Sequence, residues 1–314
     1  MITKIDEKYD VILTFSPINE ITGHIFECFD YYLFLREYYK VGILFLGSIK
    51  EEKLKKVFND KYIVNYDDVK CDFVIIPEEK LKYNKMITFG KDTVVILCDG
   101  NIHQLQLYGI HLITRKLLGF LCAEKEESYV DKISMYKHII YLKDYRIYST
   151  NNFFKSYNYV KKLPFKWYKK SNKVYDNTGM MYVTFACRKI SPEIIKEYHK
   201  LSNCNKTLLI VPFKLQEYTD IENVIQIEAP LNDFFNSFDT YIYTPVQRKF
   251  DCSPRLVTEC FLHNKKVIIN LDYVDLGLQT RYNDCIENLE SLNLKENDDI
   301  LRIIDEIKNG KSRN

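Results

Sequence analysis

Short runs of Val, Ile and Leu recur along this chain, each bounded by a polar turn or a stretch of helical periodicity. The first, YDVILTFS over Tyr9–Ser16, is too uniformly apolar for a strand with one wet face, and reads as a strand buried on both. Thr22–Tyr39 follows as a helix with Ile25, Phe29, Tyr32, Leu33 and Leu35 at helical spacing. Val41–Gly47 is a second strand, Glu51–Asn59 a charged helix, and Asp72–Pro77 and Thr93–Asp99 two more strands. Doubly buried strands alternating with helices predict a parallel sheet with helices on both faces. Tyr136–Tyr148 predicts one further strand.

Residues 151–180 interrupt this rhythm. They hold seven lysines against one aspartate, with Tyr, Phe and Trp167 between them, and end in the turn signal Asp176-Asn177-Thr178-Gly179. A second alternation then begins. Strands are predicted over Met181–Cys187, Thr207–Pro212, Val224–Glu228, Thr240–Thr244 and Lys266–Asn270. Helices are predicted over Ser191–Leu201, Leu231–Phe238 and Pro254–Asn264. Asp298–Asn309 is a last amphipathic helix through Ile300, Leu301, Ile304 and Ile307. The expected organisation is a Rossmann-like half over 1–150, a basic aromatic connector over 151–180, a second Rossmann-like half over 181–297, and a helix with its tail over 298–314.

Composition narrows the class. A chain of 314 residues is long enough for two cores, and 46% hydrophobic with 28% charged residues is a globular balance. No apolar run reaches the length of a membrane span, and the N-terminus has no basic segment followed by an apolar one, so a cytoplasmic protein is expected. The nine cysteines include no CxxC pair, which argues for reduced thiols.

Chemistry concentrates in TYIYTPVQRKFDCSPRLVTECFLHNKKVIIN, Thr240–Asn270. Ser253 is a good N-cap and Pro254 suits the first helical turn. The helix start presents free N–H groups and a positive dipole end to an anion, and Arg255 adds a phosphate-binding fork. Glu259 follows about one turn later, so both can face one ligand. N–H groups for a diphosphate and a carboxylate for ribose hydroxyls together suit a nucleotide sugar. Asp251 either orients the turn or contacts sugar hydroxyls, and Thr244, at the strand end, could lie beside the base or the sugar.

In open α/β sheets ligands gather at the carboxyl ends of strands. Gly23 and His24 follow the first strand there, Gly23 allowing close backbone approach. Asp99 ends the apolar strand VVILCDG and could take a proton from an acceptor hydroxyl, with Glu20, Glu27 and Asp30 as rivals. Arg188 and Lys189 follow the first strand of the second half, and Lys214 the next. In the connector, Lys161, Lys162, Lys166, Lys169 and Lys170 supply phosphate attraction, and Trp167 a stacking surface, for a nucleic acid or an anionic lipid.

The FDCSPR…EC element and the order of elements around it resemble the C-terminal domain of GT-B glycosyltransferases, and more closely small phage-type members. The resemblance covers about Met181–Asn270 and, more weakly, Tyr9–Gly47. It implies two Rossmann-like domains facing each other across a cleft, with the last helix crossing back to the N-terminal domain. It also implies a UDP-linked donor such as UDP-glucose, with no metal. Glu259 would bind the donor ribose, and the helix start at Asp251, Ser253 and Arg255 the diphosphate. Arg188 and Lys189 would supply cations to the leaving group, and Gly23 would approach the donor phosphates. Asp99 would be the base of an inverting transfer, a role that a retaining one does not require. Phage-type relatives glycosylate hydroxymethylated bases in DNA, so double-stranded DNA in a host cytoplasm is the expected acceptor. Glycans, lipids and small molecules stay open as acceptors, and so does a non-catalytic nucleic-acid-binding module. A sugar-nucleotide epimerase fits the six scattered histidines less well.

Overall fold

The computed structural model describes residues 2–5, 8–15, 23–47, 50–62, 64–97, 105, 108–121, 139–140, 144–149, 160–162, 173–183, 192–210, 218–219, 221–227, 234–245, 255–272, 274–280, 282–283 and 298–309. The chain divides into two compact units, Met1–Trp167 with Asn293–Asn314, and Tyr168–Leu292. Every strand pairing among the described residues is parallel.

The first unit is built on a seven-stranded sheet. Its strands are β2 (Val11–Phe15), β3 (Val41–Leu46), β4 (Phe73–Ile76), β6 (Val94–Leu97), β8 (Lys116–Leu121), β10 (Asp144–Ser149) and β11 (Val160–Lys162). Across the sheet they run β11-β10-β8-β6-β2-β3-β4. The order therefore reverses between β2 and β6, as in a doubly wound fold. All of β2, β3 and β6 is buried, which is why these strands carry no polar alternation.

One face of this sheet is covered by helices. Gly23–Leu35 buries Ile25, Cys28, Phe29, Tyr32 and Leu35 there. Phe29 packs edge-on against Phe45 and Phe58 and stacks on Phe73. The Asp298–Lys308 helix joins the same core through Ile300, Ile303, Ile304 and Ile307, an i, i+3, i+4, i+7 stripe. It is the expected return to the first unit. Tyr39 donates to Asp305 at 2.8 Å, Lys308 pairs with Asp10 at 2.8 Å, and Lys116 Nζ reaches the terminal carbonyl of Lys308 at 2.6 Å. That last bond satisfies one of the acceptors a helix C-terminus leaves open.

The other face corrects the sequence reading. Where helices were expected, a second parallel sheet covers the first, in the order β1-β5-β7-β9: Ile2–Lys4, Met86–Thr88, His111–Ile113 and Ile139–Ile140. Each short strand immediately precedes a strand of the large sheet. Ile5, Ile87 and Leu112 meet Ile12, Leu44, Val95 and Leu117 in one apolar layer. Gly42 permits the close packing here: a Cβ on it would stand 2.8 Å from Ile12 Cδ1 and 2.9 Å from Tyr9 Cε1.

The second unit has one five-stranded sheet, β14-β13-β12-β15-β16. Its strands are β12 (Met180–Val183), β13 (Lys206–Ile210), β14 (Val224–Ile227), β15 (Thr240–Tyr243) and β16 (Lys266–Ile269). In chain order this is 3-2-1-4-5, the Rossmann arrangement, with its reversal between β12 and β15. The α/β class with two Rossmann-like halves is thus present as expected. The turn into β12 places Gly179 at φ +65°, and Asp239 accepts from the N–H groups of Thr178 and Gly179. Of the helix expected over Leu231–Phe238, the described part, from Phe234 on, holds a 3-10 turn at Phe234–Asn236.

The isoleucine stripe is testable. Ile304→Ala should lower the unfolding free energy in urea by about 2–4 kcal/mol, the range for a truncated core side chain. A loss under about 0.5 kcal/mol would show that this helix is not part of the core.

Candidate functional site

The sheet of the second unit directs its ligand edge to the carboxyl ends of β12 and β15, which are paired through Val183 and Ile242. The next described element after β15 is the Arg255–Leu262 helix. Val257, Thr258, Cys260 and Leu262 are buried, and Arg255 and Glu259 lie half-sunk at the helix start. The two charges face each other: Arg255 Nη2 stands 2.7 Å from Glu259 Oε1, with both side chains about 15% exposed.

This pair has an energetic peculiarity. A cation in the first turn opposes the positive end of the helix dipole, at a cost of about 0.3–1 kcal/mol. The i,i+4 pair returns about 0.3–0.5 kcal/mol, and the order with the base N-terminal to the acid is the weaker one. Arg255 is therefore not explained by helix stability. An anion at the helix start would reverse the sign of the arrangement.

Thr244 directly follows β15 with its side chain buried, and its hydroxyl shares a hydrogen bond of 2.6 Å with Tyr198. Tyr198, from the Pro192–Ser202 helix after β12, is fully buried. Asn270, directly after β16, donates through Nδ2 to the Tyr198 hydroxyl at 2.9 Å and accepts from the Asp272 N–H at 3.0 Å. A backbone N–H can only donate, so the Asn270 amide orientation is fixed. Asn270, Tyr198 and Thr244 thus clamp the ends of β15 and β16 to the helix beside them. The sequence reading missed Tyr198 and Asn270. Asn270 carried a signal, a lone polar residue straight after the run Val267–Ile269, while Tyr198 reads as ordinary helix core.

In the first unit, topology brings Gly23 and His24 to the reversal point. The Gly23–Leu35 helix, with Gly23 and His24 at its start, follows β2. The strand leading to Asp99 is β6, paired to β2 through Thr14 and Leu97. Asp30 accepts from the Tyr62 hydroxyl at 2.7 Å inside the helical layer. Asp99, Glu20, Arg188, Lys189, Lys214, Asp251, Ser253, Lys166, Trp167, Lys169 and Lys170 lie outside the described residues. Lys161 and Lys162 fall on β11, the edge strand next to β10. Among the described residues no three His, Cys, Asp or Glu side chains form a metal-binding group, and no helix is long and apolar enough to cross a membrane.

No protein-family model and no curated protein matches this sequence. Solved structures of similar fold include Anabaena HepE in complex with UDP and glucose, at 10% identity and a TM-score of 0.46, covering 82% of this chain and 80% of that one. Phytolacca americana UGT2 complexed with UDP-2-fluoro-glucose and pterostilbene is similar at 9% identity and a TM-score of 0.43, over 85% and 81% of the two chains. A putative UDP-N-acetylglucosamine 2-epimerase from Listeria monocytogenes is similar at 10% identity and a TM-score of 0.43, over 92% and 89%. Likeness of this degree leaves donor, acceptor and reaction to be read from this chain's own residues.

Two measurements check the packing around this edge. Tyr198→Phe removes the acceptor of a buried Asn270 donor and should destabilise the chain by about 1–3 kcal/mol in urea; a neutral result would dissolve the clamp. His199, one residue along, bonds Thr207 Oγ1, and burial holds its imidazole below the ordinary value of 6.5. The unfolded chain then takes up this proton first. The stability His199 contributes is complete above about pH 6.5 and is lost as pH falls through its depressed folded-state value. Melting temperature should drop between pH 7.5 and 5.5, and His199→Gln should flatten that slope.

Proposed function

We propose that this protein is a glycosyltransferase that takes a sugar from a nucleotide-sugar donor, UDP-glucose being the best candidate, and passes it to a hydroxyl acceptor. The observation that carries this reading is the Arg255–Glu259 pair at a helix start, directly downstream of the strand that flanks the reversal point of a 3-2-1-4-5 parallel sheet. The helix start and Arg255 suit the diphosphate, with Ser253 and Asp251 before them in sequence, and Glu259 suits the ribose hydroxyls. Thr244, held by Tyr198, closes the base or sugar end. Arg188 and Lys189 follow β12 on the other side of the same reversal point, where cations would stabilise the diphosphate as it leaves.

The acceptor half of the reaction is assigned to the first unit. Asp99, past the end of β6, is the proposed base for the acceptor hydroxyl in an inverting transfer, with His24 at the neighbouring helix start. The acceptor we favour is a hydroxymethylated pyrimidine in DNA. What supports it is the run of lysines with Trp167 over 151–180 and the resemblance of the FDCSPR…EC element to phage-type enzymes. A duplex substrate would have to turn its base out of the stack to reach such a site.

A donor panel tests this reading. UDP should be released from UDP-glucose, and release should rise when DNA containing 5-hydroxymethylcytosine or 5-hydroxymethyluracil is added. Glu259→Ala should weaken UDP binding at least about tenfold by calorimetry, with the fold kept by circular dichroism. Release indifferent to DNA would move the acceptor to a glycan, lipid or small molecule. A protein that binds DNA but turns over no donor would be a binding module.

A further inference from the structure

The second unit has a cavity at the opposite edge of its sheet. It measures about 400 Å³ and is lined by Lys173, Tyr175, Asn264 and Lys265, with the carboxylates of Asp176 and Asp239 and the amide of Asn177 in the same wall. These residues precede β12, β15 and β16, so the cavity opens at the amino ends of the strands and is separate from the carboxyl edge where the donor is placed.

Lys265 is the feature that points to a ligand. The residue is only 6% exposed. Its ammonium stands 4.0 Å from the centroid of the Tyr175 ring and 5.7 Å from that of Phe238. These ring faces stabilise the charge but accept none of its three N–H bonds. Among the described residues Lys265 Nζ has no hydrogen-bond acceptor and no carboxylate within ion-pair distance. Asp239, which also lines the cavity, accepts from the N–H groups of Thr178 and Gly179 at 2.6–3.0 Å and attracts the ammonium only at longer range. A second ammonium, that of Lys173, lies 5.5 Å from the same Tyr175 ring; burial holds the Lys265 ammonium below the usual lysine range, the charge of Asp239 opposing this and that of Lys173 adding to it. Two cations thus lie against one aromatic ring in the lining of a cavity, and neither the ring nor a described side chain accepts the Lys265 N–H groups.

The backbone fixes this geometry. The Arg255–Leu262 helix ends in a Schellman motif: Asn264 takes the left-handed conformation at φ 55°, Asn264 N–H bonds the Phe261 carbonyl, and Lys265 N–H bonds the Cys260 carbonyl. The motif sets Lys265 at the first position after the turn, and its side chain returns under Tyr175. The Tyr175 hydroxyl in turn bonds His263 Nδ1, whose ring stacks on Phe235 at 3.8 Å. The platform is rigid before any ligand arrives.

We propose that this cavity is a second ligand site, for a small anion that presents oxygen acceptors to Lys265 and Lys173, with the amides of Asn177 and Asn264 within the same lining. Phosphoesters and carboxylates share this chemistry. The site stands independently of the donor site, since no residue is common to the two.

The test uses the full chain with its lysines reductively methylated with carbon-13, which leaves their charge in place. Inorganic phosphate and acetate are titrated separately at ionic strength matched with sodium chloride. The Lys265 resonance, assigned by its loss in Lys265→Gln, should move saturably with phosphate, acetate or both, and the pair of titrations shows which oxyanion is preferred. Lys173→Gln, a surface change that should leave the melting temperature in place, should weaken that binding at least about tenfold. A Lys265 resonance that ignores both anions, or that follows ionic strength alone, overturns the proposal. Saturable binding unaffected by Lys173→Gln overturns the shared two-lysine site.

Discussion

Parallel pairing is the constraint from which the rest of this structure follows. A parallel strand cannot be joined to its neighbour by a tight turn, so each crossover must travel the length of the sheet and cover one of its faces. In the second unit that cover is helical over the residues described. In the first, over the residues described, helices cover one face and strands of two or three residues form a sheet of their own on the other. Both solutions bury the large sheet on two sides, and both send every strand's carboxyl end to the same edge. The reversal points between β2 and β6 and between β12 and β15 are the places where consecutive crossovers part to opposite faces and leave a crevice. Site position in each unit is therefore a consequence of chain direction, before any side chain is considered.

The Arg255–Leu262 helix links the two edges of the second unit. Its start lies downstream of the carboxyl end of β15, and its end, at His263, Asn264 and Lys265, forms part of the cavity at the amino ends. At eight residues it spans about 12 Å at the α-helical rise. Its buried face, Val257 and Cys260, packs with Tyr241 and Tyr243 of β15, so it is held as a rigid strut. A strut of this kind fixes the spacing between the two edges. It also explains why the charges sit where they do: the middle of the helix is committed to the core, and only its ends can carry ligands.

Legibility in the sequence divides along physical lines. Strands buried on both faces, such as Val11–Phe15 and Val94–Leu97, announce themselves because nothing but a sheet interior tolerates such runs. The last helix was legible from one stripe of isoleucines. The small sheet was not, because Ile2–Lys4, Met86–Thr88, His111–Ile113 and Ile139–Ile140 are shorter than any periodicity can register. Val160–Lys162 was hidden differently: its lysines read as connector, and only pairing with β10 makes it a strand. At the site, Arg255 and Glu259 were readable as a spaced pair on a helix. Their mutual ion pair follows from the same spacing, and both readings hold for a ligand that must displace or share it. Tyr198 and Lys265 could not be read, since their roles depend on Asn270 and Tyr175, distant in sequence and brought close only by the fold.

The placement of Arg255 bears most directly on what the helix start is for. Natural sequences agree with their fold at most levels, and local disagreements concentrate where function demands them. An arginine in the first turn, facing an acid placed in the less favourable order, gains nothing for the helix beyond approximate neutrality. Glu259 prevents the guanidinium from standing as a partly buried charge without a counter-ion, and so keeps the chain stable while the site is empty. A diphosphate arriving at the same point would supply stronger, bidentate acceptors and align with the dipole that the arginine opposes. Glu259 would then be released from charge compensation to accept hydroxyl hydrogen bonds one turn further along. On the proposed donor reading, the pair is a resident stand-in for the ligand: a carboxylate that would occupy the arginine until a phosphate took over, and that would find its second partner in the same molecule.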